Sequence, residues 1–235
     1  MKLEVLPVRT AGAAENMALD FLLLQRHPGP ALARFRHYGW RSEAFTFGYS
    51  QKIAAVRAGL PAGGPFDLCR RPTGGGVVDH RGDWTYTLVI PRGHALEEAR
   101  ASESYRVVHE CIAAALRDQG IAAVLKPAAA PAPGDGLPGI CFEKAENFDV
   151  VNERGGAKIA GAAQKRNKHG LLFQGSIWRP AAAAADWERF HDDFAARLAA
   201  ALDATAVRSP WPELNEDEVA GLVEMYSSTE WLEAR

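Results

Sequence analysis

Arg70-Arg71-Pro72-Thr73-Gly74-Gly75-Gly76-Val77-Val78-Asp79-His80 lies between two runs that read as strands, Phe66 to Arg71 and Thr85 to Ile90. No crossover helix separates them. The same holds later in the chain, where residues 148–152 and 157–160 read as a hairpin and Leu171 to Trp178 as the strand after it. Strands that follow one another in this way argue for a mixed, largely antiparallel sheet, and so for an α+β fold rather than a doubly wound one. Working outward, residues 32–38 and Phe45-Thr46-Phe47 are further strands, and Val124-Leu125 a short one. Helices are predicted over 13–26, where Met17, Phe21 and Leu24 share one face, and over 96–119, with Tyr105, Val108, Ile112 and Leu116 inward. Another is predicted over 186–202 with Asp186 as N-cap, and a last one behind Asn215, with Glu218 three residues on. Residues 59–65 are a Gly- and Pro-rich loop. Residues 127–139, mostly Ala, Pro and Gly, read as a mobile loop leading into Cys141-Phe142, and the alanine run 181–185 as a linker or frayed helix start.

The central stretch also carries chemistry. Three successive glycines let a backbone turn tightly and lie against a ligand with no Cβ in the way. The arginines before them are permanent donors suited to a carboxylate or phosphate, with Arg71 the stronger candidate because Arg70 faces the other way on an alternating strand. A second segment, Gly156-Ala157-Lys158-Ile159-Ala160-Gly161-Ala162-Ala163-Gln164, offers one lysine among small residues. Taken alone, the first segment is also an ordinary turn and the second an ordinary solvated strand lysine.

The 235 residues are 47% hydrophobic and 24% charged, which is the balance of a globular chain with a good-sized core. A formal charge of −2 supplies no global field towards nucleic acid. No apolar run reaches membrane-spanning length, and Met1-Lys2-Leu3-Glu4-Val5 lacks a signal-peptide core. The three cysteines are widely spaced, with neither a disulfide framework nor structural zinc spacing, so a reduced, cytoplasmic protein is expected.

The two glycine-bearing segments together resemble the biotin/lipoate protein ligase superfamily, in its lipoate ligase and octanoyltransferase branch. Asn16-Met17-Ala18-Leu19-Asp20, Tyr38-Gly39-Trp40, Phe47-Gly48-Tyr49-Ser50-Gln51, Ser104-Tyr105-Arg106 and Tyr226-Ser227-Ser228 with Trp231 fall in that family's order, so the resemblance runs from residue 1 to about 232. It implies a mixed central sheet flanked by helices, of the class II aminoacyl-tRNA synthetase and biotin-ligase kind. It also implies one catalytic domain over 1–235 without the C-terminal accessory domain of some ligases. The biotin-ligase signature Gly-Arg-Gly-Arg-x-x-Arg is absent.

Site residues follow from the resemblance. Cys141, in Gly139-Ile140-Cys141-Phe142-Glu143, matches the acyl-accepting cysteine of octanoyltransferases acting on the glycine cleavage H protein. By residue type alone it would be a buried packing cysteine, the role assigned to Cys69 and Cys111. Lys158 would stabilise an oxyanion and favour a thiolate nearby. Substrate contacts are implied for Arg71, Thr73, Gly74, Gly75, Gly76 and His80, with a satisfied surface histidine the equal alternative for the last. They are also implied for Gly161, Ala163, Gln174 and Gly175. Gln174 departs from the family, which often has histidine there, and it cannot titrate. Lys165-Arg166-Asn167-Lys168-His169 is either a solvated turn or a docking patch for an acidic carrier.

Two mechanisms fit. In the first, an octanoyl or lipoyl group passes from acyl carrier protein through a Cys141 thioester to a lysine of a lipoyl domain or glycine cleavage H protein, with no cofactor. In the second, an ATP- and Mg²⁺-dependent lipoate–protein ligase works through lipoyl-AMP. A non-catalytic acyl binder on the same fold is the third reading. None of them calls for nucleic acid, a membrane or a resident metal.

Overall fold

The computed structural model describes residues 1–27, 29–62, 64–128 and 145–234. Along the chain these form β1 (Lys2–Val5), β2 (Arg9–Ala11), α1 (Ala13–Gln25), β3 (Leu32–Trp40), β4 (Ala44–Phe47), α2 (Ile53–Gly59), β5 (Asp67–Arg70), β6 (Val77–Asp79), β7 (Asp83–Pro91), α3 (Ala95–Glu98), α4 (Ala101–Arg117) and β8 (Ala123–Leu125). After residues 129–144 come β9 (Val150–Asn152), β10 (Lys158–Asn167), β11 (Gly170–Trp178), α5 (Trp187–Ala201), β12 (Thr205–Arg208), α6 (Glu216–Ser227) and α7 (Thr229–Glu233).

The main sheet runs β12-β1-β3-β7-β11-β10-β9-β8, with β2 beside β3. It is antiparallel from β3 to β8 and parallel where β12, β1 and β2 join. A small second sheet has β4 between parallel β5 and antiparallel β6. The fold is thus α+β and largely antiparallel, as the short strand-to-strand connections require.

Alternation along the strands sorts the two faces. Trp84, Tyr86, Leu88 and Ile90 of β7 join Leu171, Phe173 and Ile177 of β11 in the main core, which α4 and α5 cover with Val108, Ile112, Leu116, Phe190 and Phe194. Val89 and Leu172 face the other way and meet Leu23 and Leu24 of α1. A cleft lies on this second face, between the main sheet, α1 and the small sheet. No helix among the described residues is long and apolar enough to cross a membrane.

The helix predicted over 96–119 is broken. Ala99 and Arg100 are extended, and Arg166 of β10 takes the carbonyls of Glu97 and Ala99 and the Ser104 hydroxyl. A side chain from the sheet thus supplies the partners that continued helix would have supplied. The caps behave as expected at Asp186, which accepts from the amides of Glu188 and Arg189, and at Asn215, which accepts from that of Glu218. Glu218 itself pairs with Arg26, just after α1, rather than closing a capping box.

Candidate active site

Arg70 at the end of β5 and Arg71 just after it point to opposite sides. Arg70 has no exposed surface; its guanidinium donates to the carbonyls of Tyr49, Gln51, Trp231 and Leu232. The Trp231 indole returns a hydrogen bond to the Arg70 carbonyl at 2.9 Å, so α7 is riveted to the base of the glycine loop. Arg71 turns towards the cleft. It donates to Thr46 Oγ1 at 2.9 Å and to the carbonyls of Gly74 and Gly76 at 2.7 and 3.0 Å. Its residue type suggested an anion donor, yet these bonds make it the clamp that shapes the loop.

Glycine is needed at positions 75 and 48. Gly75 has φ +88°, and its carbonyl lies so close to Gly48 that a Cβ there would sit 2.0 Å away. Amides of Gly48 and Tyr49 bond to the carbonyls of Gly76 and Thr73, joining the two turns. The Thr73 hydroxyl lies 2.7 Å from Gln174 Oε1, and Gln174 Nε2 donates to Asp20 Oδ2 at 2.7 Å. Asp20 forms a fully buried ion pair with Arg36, 2.6 Å apart.

His80 ends the loop. It stacks on Trp40 at 4.0 Å between ring centres. Its Nδ1 donates to Asp83 Oδ2 at 2.7 Å, since a carboxylate can only accept, and its Nε2 is 2.7 Å from Thr46 Oγ1. The hydroxyls of Thr85 and Ser176 converge on the same Asp83 oxygen. His80 is therefore a satisfied residue of the cleft wall, not of the surface.

The facing wall is β10. Lys158 Nζ lies 2.8 Å from Asp149 Oδ2, with both side chains almost fully covered. Gly161 leaves room for this pair, because a Cβ there would sit 2.8 Å from the Lys158 Cε and Nζ and 3.0 Å from Asp149 Oδ1. Asp149 also accepts the amide of Glu146. It follows Phe148, whose φ of +67° is strained for a side-chain-bearing residue. His109 Nδ1 lies 2.7 Å from the Phe148 carbonyl and steadies that turn. Burial pushes the His109 pKa down, with Asp149 opposing, which keeps this support neutral.

Between the walls is a narrow cleft of about 40 Å³. Of the expected residues, Arg71, Gly75, His80, Lys158, Gly161, Ala163, Gln174 and Gly175 line it. Thr73, Gly74 and Gly76 do not line it; the Thr73 hydroxyl donates to Gln174, and the carbonyls of Gly74 and Gly76 accept from Arg71. Gly175 has its own reason to be glycine: a Cβ would overlap the Tyr86 ring at 2.1 Å. Cys141 lies outside the described residues, as do most of residues 127–139. Cys69 and Cys111 are buried, and burial pushes both thiols up to about 12, so neither is a ready thiolate. In the basic cluster, Arg166 is tied to the α3–α4 junction and Lys165 Nζ sits 5.5 Å over the Tyr49 ring.

Sequence reasoning missed Asp20, Arg36, Asp83 and Asp149. Asp20, Arg36 and Asp83 sit in a helix or strand of otherwise ordinary pattern, and Asp149 lies just before β9. The readable signal was Asn16 and Asp20, four residues apart on an apolar helix, which places two polar groups on one face.

The family model for the lipoyl protein ligase A/B catalytic domain matches residues 12–183. The chain belongs to that family. Among its relatives, the octanoyltransferase LipM of Bacillus subtilis is 34% identical over 176 residues, covering 71% of this chain and 62% of the relative. LipM of Halalkalibacterium halodurans is 32% identical over 170 residues, covering 70% and 61%. The match thus spans about three-fifths of the length of these curated relatives. The family fold recurs in lipoate-protein ligase A bound with ATP, at 17% identity and a TM-score of 0.74 over 99% of this chain and 98% of that one. A chain from the bi-partite lipoate protein ligase system of Thermoplasma acidophilum gives 17% and 0.72 over 98% and 96%.

Proposed function

We propose that this chain is an acyltransferase that moves an octanoyl group from acyl carrier protein to a lysine of a lipoyl-carrying protein. The observation that carries the reading is Lys158, a covered ammonium paired with Asp149 at the edge of a narrow cleft whose opposite wall is the glycine loop. The sequence relatives named octanoyltransferase support it. In this reading the Cys141 thiolate attacks the donor's thioester carbonyl, and the tetrahedral oxyanion is met by the Lys158 ammonium. Collapse expels the carrier's thiolate, which takes up the proton the acceptor amine later gives up, and leaves an acyl-enzyme thioester. The acceptor's lysine amine then attacks that thioester, forming the amide, returning the thiolate and losing a proton. Thioester exchange is nearly isoenergetic and the amide is downhill, so ATP has no role. The apolar share of the lining suits an alkyl chain.

Intact-protein mass spectrometry after mixing with octanoyl-acyl carrier protein, without ATP, tests this. The expected result is a hydroxylamine-sensitive octanoyl adduct that Cys141→Ala abolishes. Modification of a lipoyl domain only with ATP and free lipoate would make the chain a ligase instead. Binding of octanoate with no turnover from either donor would leave an acyl binder.

A further inference from the structure

The Gln174 carboxamide is held at both ends. Thr73 Oγ1 is 2.7 Å from Oε1, and Nε2 is 2.7 Å from Asp20 Oδ2. Because a carboxylate only accepts, the amide presents NH₂ to Asp20 and its oxygen to Thr73, so the Thr73 hydroxyl must donate. Behind Asp20, Arg36 Nε lies 2.7 Å from Oδ1 and Arg36 also donates to the Asn16 carbonyl at 2.9 Å. Asp20, Arg36, Thr73 and Gln174 are all buried. The series Arg36, Asp20, Gln174, Thr73 therefore runs from a buried ion pair to the first residue of the glycine loop, with every direction of donation fixed. Two residues further on, the loop passes through the positive φ of Gly75.

We propose that Asp20 and Gln174 are positioning residues. Acting through the Thr73 hydroxyl, they hold the glycine loop in its ligand-receiving shape, and an amide at 174 makes that hold independent of pH. The ligand named in the test rests on the acyl-transfer reading; the hold on the loop does not. Asp20 is a poor place to intervene, since its loss strands Arg36 as a buried charge. Position 174 is better. Gln174→Met keeps the volume and removes both bonds. Gln174→Glu, once ionised, still accepts from Thr73 but loses its bond to Asp20 and faces that carboxylate as a like charge, whereas the protonated acid both donates to Asp20 and accepts from Thr73. The charged or titratable groups around this position are Asp20 from α1, Arg36 and Tyr38 from β3, Arg71 and His80 from the loop, and Lys158 from β10. All are common to wild type and variant, so the ratio of the two pH profiles isolates the added carboxyl.

The experiment has two readouts, with Thr73→Ser as the conservative control that keeps the hydroxyl. Amide hydrogen exchange over residues 72–79 reads the loop without needing turnover, and KM for octanoyl-acyl carrier protein reads its consequence. Gln174→Met should raise both about tenfold, with kcat little changed. Gln174→Glu should follow wild type at acidic pH and depart from it towards Gln174→Met at alkaline pH, where its bond to Asp20 is replaced by like-charge repulsion, while Thr73→Ser stays close to wild type. Unchanged exchange and KM in both Gln174 variants would overturn the proposal, as would a lowered melting temperature with the loop unaffected. If wild type transfers no acyl group, the acyl-transfer reading falls, and exchange alone decides the loop-positioning claim.

Discussion

The glycine-loop wall and the Lys158 wall of the cleft are built in opposite ways. On the loop wall many polar side chains serve the protein: Arg71 clamps carbonyls, Gln174 joins Thr73 to Asp20, and His80 joins Thr46 to Asp83. On the Lys158 wall, among the described residues, the charge is placed by the Asp149 carboxylate and by the missing side chain of Gly161. A wall that is all scaffold is a mould, and damage to it should appear as weaker binding. A wall with one placed charge is an instrument, and damage to it should appear as slower turnover.

The sharpest way to break the comparison is Lys158→Met. It should lower kcat about 100- to 1,000-fold, the usual loss for one oxyanion donor, with KM little changed in steady-state transfer assays. Gly161→Ala moves the same charge without removing it, because the new methyl displaces the lysine. A loss of about 100-fold in kcat is expected, with an unchanged melting temperature. On the other wall, Gly175→Ala forces a methyl into the Tyr86 ring and should destabilise by about 1–3 kcal/mol in urea unfolding.

A pH effect on stability follows from the buried imidazoles. Burial holds His37 and His27 at about 4, against 6.5 for an open imidazole. Between those values the unfolded chain takes up protons that the folded chain refuses. Stability should therefore fall as pH drops from 6.5 towards 4 and stay level above 6.5. Urea midpoints across that range check it, and His37→Gln should flatten the slope. The smallest effect is expected from Cys69→Ala and Cys111→Ala, since these thiols are buried and held at about 12. Each should leave turnover at the wild-type rate.

Most of the sheet was legible because its strands alternate and its turns carry glycine and proline. Glycine and lysine marked the two walls by motif, and the cleft unites them. What stayed hidden depends on distance rather than pattern. Asp149 is nine residues before Lys158 and meets it only because β9 and β10 pair. Asp20 and Gln174 lie on a helix and a strand far apart in sequence. The short strands β1, β2 and β12 and the helix α2 carry too few residues for a period to emerge. The break between α3 and α4 is written in Arg166, not in the helix sequence itself.

Rapid-quench acylation by octanoyl-acyl carrier protein, comparing wild type with Lys158→Met, tests the central claim most directly. The account predicts a hydroxylamine-sensitive adduct on wild type within one turnover, and at least about 100-fold slower adduct formation on Lys158→Met at unchanged donor affinity. Acylation of Lys158→Met at the wild-type rate would contradict it.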